Sequence, residues 1–160
     1  MLDTIDTIDW KALAQPKENR GDEVPKALRA LSAATTEEAA NRAYDRVLYA
    51  VGNNHAGTYF PVVVAAIPFL GEVLEYGAAP ARIGTLDVLI DLMTSFEPEP
   101  GHEIIERPDG ARVPLTQLLQ TAVQALRPAL KRVPTEDAVT PRLSELAAQL
   151  RQTLGEEEPH

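Results

Sequence analysis

Asn53-Asn54-His55-Ala56-Gly57-Thr58-Tyr59-Phe60-Pro61, followed by Ala66-Ile67-Pro68-Phe69-Leu70, breaks one helical pattern and opens the next. Upstream, Ala40, Ala43, Val47, Ala50 and Val51 recur at the spacing that gives a helix one apolar face. Arg42, Asp45, Arg46 and Tyr49 fall on its other side. Gly52-Asn53-Asn54 predicts the stop, because these residues tolerate the left-handed conformation of a helix end. Downstream, Thr58 to Ala66 predicts a short helix with Pro61 in its first turn. Pro68 predicts a kink or a restart, since its ring clashes with the carbonyl four residues back. His55, Gly57 and Tyr59 are assigned to the structure of the turn, with the His55 imidazole bonding a helix end. His55 has no acid or nucleophile partner in view, which a catalytic histidine needs.

Working outward, Val24-Pro25 opens an earlier helix, where a first-turn proline wastes no hydrogen bond. Leu28 and Leu31 continue its stripe. Thr35-Thr36-Glu37-Glu38 reads as a capping box for the next helix, with Thr35 as the cap and Glu38 reaching back. After the central stretch, Phe69, Leu70, Val73 and Leu74 carry the apolar face to Tyr76-Gly77. Pro80 starts the most hydrophobic helix, through Ile83, Leu86, Leu89, Ile90, Met93 and Phe96. That breadth predicts contact on two sides, with Asp87, Asp91, Thr94 and Ser95 toward solvent. Pro114-Leu115 opens a further helix, Pro128 restarts it, and Thr140-Pro141 caps a last one with Leu143, Leu146, Leu150 and Leu154 as its stripe.

Residues 1–23 form an acidic lead-in, in which Ile5, Ile8 or Trp10, and Leu13 are placed to pack on the body. A lone Trp near a terminus pins its segment to the core. Residues 97–113 form an inserted proline-rich loop with Glu97, Glu99, Glu103, Glu106 and Asp109. Ile104-Ile105 predicts a short hairpin across Arg107-Pro108-Asp109-Gly110. Glu99, His102, Glu103 and Glu106 have the spacing of one helical face, but the neighbouring Pro and Gly argue against a helix and hence against a metal site there. Residues 155–160 read as a frayed acidic tail.

The 160 residues fit one domain of 1–160, and Ala and Leu dominate the 44% apolar fraction. Both are strong helix formers, so composition leans all-α. The absence of cysteine removes disulfides, thiolate metal sites and cysteine nucleophiles, and is compatible with a cytoplasmic location. No apolar stretch approaches the ~18 residues of a membrane span. The first residues lack a basic, then apolar, secretory pattern. A net charge of −9 repels phosphate backbones, so nucleic acid is not the expected partner. No phosphate-cradling glycine loop, nucleophile elbow or His-Glu-x-x-His is found, and neither a catalytic residue nor a cofactor is assigned.

Pro68 precedes Arg82 by the interval at which Pro128 precedes Arg142, and Leu86 and Ile90 then coincide with Leu146 and Leu150. Pro25 stands one period before Pro68, within the ~40–47 residues of stacked helical-hairpin repeats. One hairpin cannot bury its apolar face alone, but stacked hairpins can. On Trp10 with Leu13, Val24-Pro25 with Leu28 and Leu31, His55-Ala56-Gly57 with Tyr59, Ile67-Pro68-Phe69-Leu70 with Leu74, and Arg82, the chain resembles a bacterial group of HEAT-like, armadillo-type repeat proteins. The match runs over residues 10–96 and departs from the pattern at Ala56 and in the insertion.

That resemblance implies an α-α superhelix of about three hairpins used for protein binding and without enzymatic activity. Small proteins similar to this often serve as immunity proteins against a bacterium's own polymorphic toxins. A basic toxin domain is the partner expected from the charge, since complementary potentials speed encounter. Asp87, Asp91, Glu97, Glu99, Glu103, Glu106 and Asp109 are the expected contacts. A HEAT-repeat scaffold with no toxin partner is the first alternative. A HEAT-like DNA glycosylase is the second, though such an enzyme needs a basic groove.

Overall fold

The computed structural model describes residues 1–133 and 141–155. The turn expected over 134–139, the Thr140 cap and the tail from Glu156 lie outside the described residues.

The lead-in is part of the core. Two 3₁₀ turns, Ile5–Thr7 and Trp10–Ala12, bury Ile5 and Trp10, and Leu2 ahead of them is buried as well. The Trp10 indole N–H donates to the Ile5 carbonyl at 2.8 Å, and its ring lies tilted against Phe69 at 5.9 Å between centroids. The Leu2 amide donates to Glu72 Oε1, and the Val62 amide to the Ala14 carbonyl. The segment is thus tied at both ends, as expected of a Trp that pins a terminus.

Helix α1 (Glu23–Ser32) carries Pro25 in its first turn and buries Val24, Leu28 and Leu31. Helix α2 (Glu37–Val51) buries the expected Ala40, Ala43, Val47, Ala50 and Val51, with Leu48 as well. Its cap lies one residue later than the sequence suggested. Thr36, not Thr35, accepts from the Ala39 amide at 3.1 Å. The register shift puts Ala39 where a reciprocal Glu would stand, and Glu38 instead pairs with Arg42 one turn on.

At the end of α2 the chain enters strands, so the fold is mainly helical rather than all-α. Strand β1 (Gly52–Asn53) pairs antiparallel with β2 (Thr58–Tyr59), and β3 (Glu97–Pro98) pairs with β2 in parallel. The left-handed stop expected at Gly52-Asn53-Asn54 is not seen: Gly52 is extended at φ −175°, neither asparagine has a positive φ, and the left-handed residue of this turn is Gly57 at φ 73°. Gly52 is required for another reason. A Cβ there would stand 2.0 Å from the Thr58 carbonyl oxygen.

Thr58 and Tyr59 are strand, so the next helix, α3 (Val62–Tyr76), starts later than predicted. It also runs on through Pro68 without restarting. Pro68 is exposed, while Ile67, Phe69 and Leu70 beside it are buried. Burial of such side chains is worth roughly 1.5–3 kcal/mol each, which offsets the ~3 kcal/mol cost of an internal proline.

Helix α4 (Ala79–Thr94) buries side chains around most of its circumference and packs against α2, α3 and α7. This is the two-sided contact its composition implied. The insertion is ordered in part as the predicted hairpin, β4 (Ile104–Glu106) against β5 (Arg112–Pro114), closed by Arg107 and Ala111. Helix α5 (Leu115–Gln124) follows, then α6 (Arg127–Lys131) with Pro128 in its first turn, then α7 (Pro141–Thr153).

Two layers result. Helices α2, α4 and α7 lie side by side with α4 in the middle, and α3 sits between α1 and the α5–α6 pair. The positions matched by the internal spacing agree in burial: Leu86 with Leu146, and Ile90 with Leu150. The prolines do not agree, since Pro68 is inside its helix and Pro128 opens one.

Candidate functional site

The C-terminal ends of α2 and α4 meet the three short strands at one end of the molecule. The turn after β1 is built by its own side chains and backbone. Asn53 Oδ1 accepts from the Ala56 amide at 3.1 Å, and the Gly57 amide returns to the Asn53 carbonyl at 2.9 Å. Asn54 donates to Asp45 on α2. Gly57 and Tyr59 join the strands: the Gly57 carbonyl accepts from the Glu97 amide, and the Tyr59 carbonyl accepts from the Glu99 amide. Tyr59 is 2% exposed, and burial, followed by the nearby Glu97, pushes its phenol pKa up. His55 differs from expectation. It is exposed, and among the described residues its ring bonds to no helix end, because Asn53 already satisfies that turn.

The seven expected contact carboxylates fall into two groups. Asp87 and Asp91 are half-buried rather than on an open solvent face. Tyr44 on α2 donates its hydroxyl to Asp91, and Arg142 on α7 pairs with Asp87 at 3.3 Å. Burial raises the Asp87 pKa, and Arg142 acts against the rise. Burial, then Asp91, raises that of Tyr44 well above the ordinary phenol. These two carboxylates tie three helices together. Glu99 is likewise engaged, accepting from the Thr58 hydroxyl.

Glu97, Glu103, Glu106 and Asp109 are exposed. Glu103 accepts from the Gly101 amide, and backbone hydrogen bonds hold its pKa down. Asp109 accepts from the Ala111 amide inside the hairpin turn. Glu97 stands on β3, at the end where α2 and α4 present their negative dipole termini. Glu106 and Asp109 stand farther along the insertion, on the hairpin. The helical spacing of Glu99, His102, Glu103 and Glu106 is not realised, because the segment is loop and strand. Among the described residues no group of three or more His, Asp or Glu side chains is arranged to hold a metal ion.

Beside this end lies a groove of about 900 Å³ that sequence reasoning missed. One wall is the segment from Gln15 to Glu23, held by Asn19, which donates to the Ala50 carbonyl at 2.8 Å. The other wall carries Phe60, Glu99 and His102, with Tyr49 and β1 between. Phe60 and His102 are in ring contact at 4.9 Å between centroids. Tyr49 is 52% exposed. The exposed position of Tyr49 on α2 was legible. Its partners Phe60 and His102 were not, since only the strand pairing of β2 with β3 brings those two segments together. No helix of the described residues is long and apolar enough to cross a membrane.

No family model matches the chain, and neither a curated protein nor a solved structure shows significant similarity to it.

Proposed function

We propose that the chain is a non-enzymatic protein-binding module, a HEAT-like superhelix of three helical hairpins (α1–α2, α3–α4 and α5/α6–α7). In this reading it is a cytoplasmic immunity protein that neutralises a cognate toxin by covering its active surface. The observation that carries the reading is the acidic insertion. It presents Glu97, Glu103, Glu106 and Asp109 exposed on a helical support, in a chain of net charge −9. A cluster of exposed carboxylates attracts a basic partner through complementary potential. The two-layer packing, with α4 central, supports the hairpin arrangement.

The test is a growth assay. The neighbouring reading frame is expressed alone and then together with this chain. Toxicity relieved by co-expression, with the two proteins co-purifying, is the expected result. A harmless neighbour, or toxicity that this chain does not relieve, overturns the pairing. A stable complex without a toxic member then supports a scaffold instead.

A further inference from the structure

We infer that the groove between the 15–23 segment and the Phe60–His102 wall receives an extended segment of a protein partner, with an arginine or lysine side chain laid over Tyr49 and Phe60. The inference rests on the protein-binding reading above and gives it a second, specific contact surface.

Three features select a cation for this place. Tyr49 is exposed and Phe60 half-buried at the groove, and an aromatic face carries the negative lobe of its quadrupole. Glu99 and Glu23 line the same groove. Helix α2 ends at Val51 beside Tyr49 and Gly52, with its Ala50 and Val51 carbonyls bonded by Asn19 and the Phe60 amide, so the terminus adds its negative dipole there without offering free acceptors. A guanidinium there meets ring faces, carboxylates and a helix C-terminus together. Phe60 is in contact with His102, and Glu99 is bonded to Thr58, which limits the ordering cost of binding on that wall.

The opposite wall shapes the occupant further. Lys17 and Arg20 are exposed on it, and among the described residues neither is in an ion pair. Glu18 and Glu23 stand on the same wall, so its two cations and two anions balance and Glu99 leaves the groove with a single excess negative charge. A peptide with a single basic residue among neutral ones matches that charge. An edge strand, β1, lies between them, paired on one side only.

The probe is the pentapeptide acetyl-Gly-Gly-Arg-Gly-Gly-amide, with its glutamate counterpart as control, titrated into the full chain and followed by aromatic and amide NMR. The expected result is saturable shifts confined to Tyr49, Phe60 and His102, with the arginine peptide binding at least about fivefold tighter than the glutamate one. Fivefold corresponds to about 1 kcal/mol, the scale of an exposed cation–π contact. Tyr49→Ala, at an exposed site, should weaken binding by a similar factor with an unchanged thermal midpoint. Glu145→Gln on α7 should leave binding intact. No saturable shift at the three rings, an equal response to the glutamate peptide, or an undiminished response in Tyr49→Ala overturns the inference.

The growth assay separates the two proposals. If wild type relieves toxicity and Tyr49→Ala with Glu99→Gln relieves it equally, the groove inference fails and the immunity reading stands. If wild type relieves nothing, the immunity reading fails and the peptide titration decides the groove alone.

Discussion

Tyr44 on α2 donates its hydroxyl to the Asp91 carboxylate on α4, across 47 residues of chain. The bond gives a half-buried carboxylate a partner and fixes the spacing of two adjacent helices of one layer. Replacing Tyr44 with Phe keeps the ring and leaves Asp91 without that donor. A loss of about 1–3 kcal/mol is expected in urea denaturation, the cost of an unsatisfied part-buried group.

Tyr44 also gives the fold a pH dependence at the alkaline end. Burial and Asp91 raise its pKa in the folded state above the unfolded value of about 10. Between those two values the unfolded chain has lost this proton and the folded chain keeps it, so stability falls as pH rises. Ultraviolet titration should show two of the four tyrosines, Tyr44 and Tyr59, ionising late, and Tyr44→Phe should leave only one of them in the late phase.

Asp87 and Arg142 make a second helix-to-helix contact, α4 to α7. Arg142→Met removes the cation and leaves a half-buried carboxylate. Arg142 is exposed, so a modest loss of roughly 0.5–1 kcal/mol is expected at pH 7. The Asp87 pKa is raised by burial, so the folded state takes up its proton first as pH falls. The destabilisation in Arg142→Met should therefore shrink as pH falls, starting above the ordinary Asp value of about 4 because the folded-state pKa is raised. A loss that is equal at pH 7 and pH 3 would show that packing, not charge, joins the helices.

Gly52 and Gly57 separate two uses of glycine in one turn. Gly52→Ala puts a methyl carbon into the Thr58 carbonyl and should open the β1–β2 pairing, at a cost of about 2 kcal/mol or more. Gly57→Ala meets only the Ser95 carbonyl at 3.7 Å and is strained by its left-handed φ alone. About 1 kcal/mol is expected there. Thermal denaturation of the two variants should rank them in that order.

Trp10 is the one tryptophan, and it is buried on Phe69. If the lead-in belongs to the main cooperative unit, Trp fluorescence and far-ultraviolet circular dichroism should lose their signals at the same urea concentration. An earlier fluorescence transition would mean that residues 1–15 peel away before the helices.

The apolar stripes of α1, α2, α4 and α7 were legible because helix periodicity is local and each stripe is long. Trp10 as an anchor, Pro25 and Pro128 as helix openers, and the hairpin over Arg107–Gly110 were legible for the same reason: their chemistry acts within a few residues. The capping residue of α2 was misread by one position. Thr35 and Thr36 offer the same hydroxyl, and only the backbone of the turn selects between them.

Other features were decided by contacts between distant segments. Thr58 and Tyr59 become strand because Glu97 and Pro98 arrive to pair with them, and no helical propensity anticipates a partner from that far along the chain. Pro68 stays inside α3 because its buried neighbours outweigh its local penalty. Asp87 and Asp91 have the spacing of a solvated helix face, yet Arg142 and Tyr44 come from two other helices to engage them. The groove of Tyr49, Phe60 and His102 exists only once α2, β2 and the insertion meet. The sequence by itself determined where most of the helices lie and that the chain is acidic, since both are sums of local properties. Tertiary structure alone decided which carboxylates are free and where a partner has a cleft to enter, since both depend on which segments are brought together.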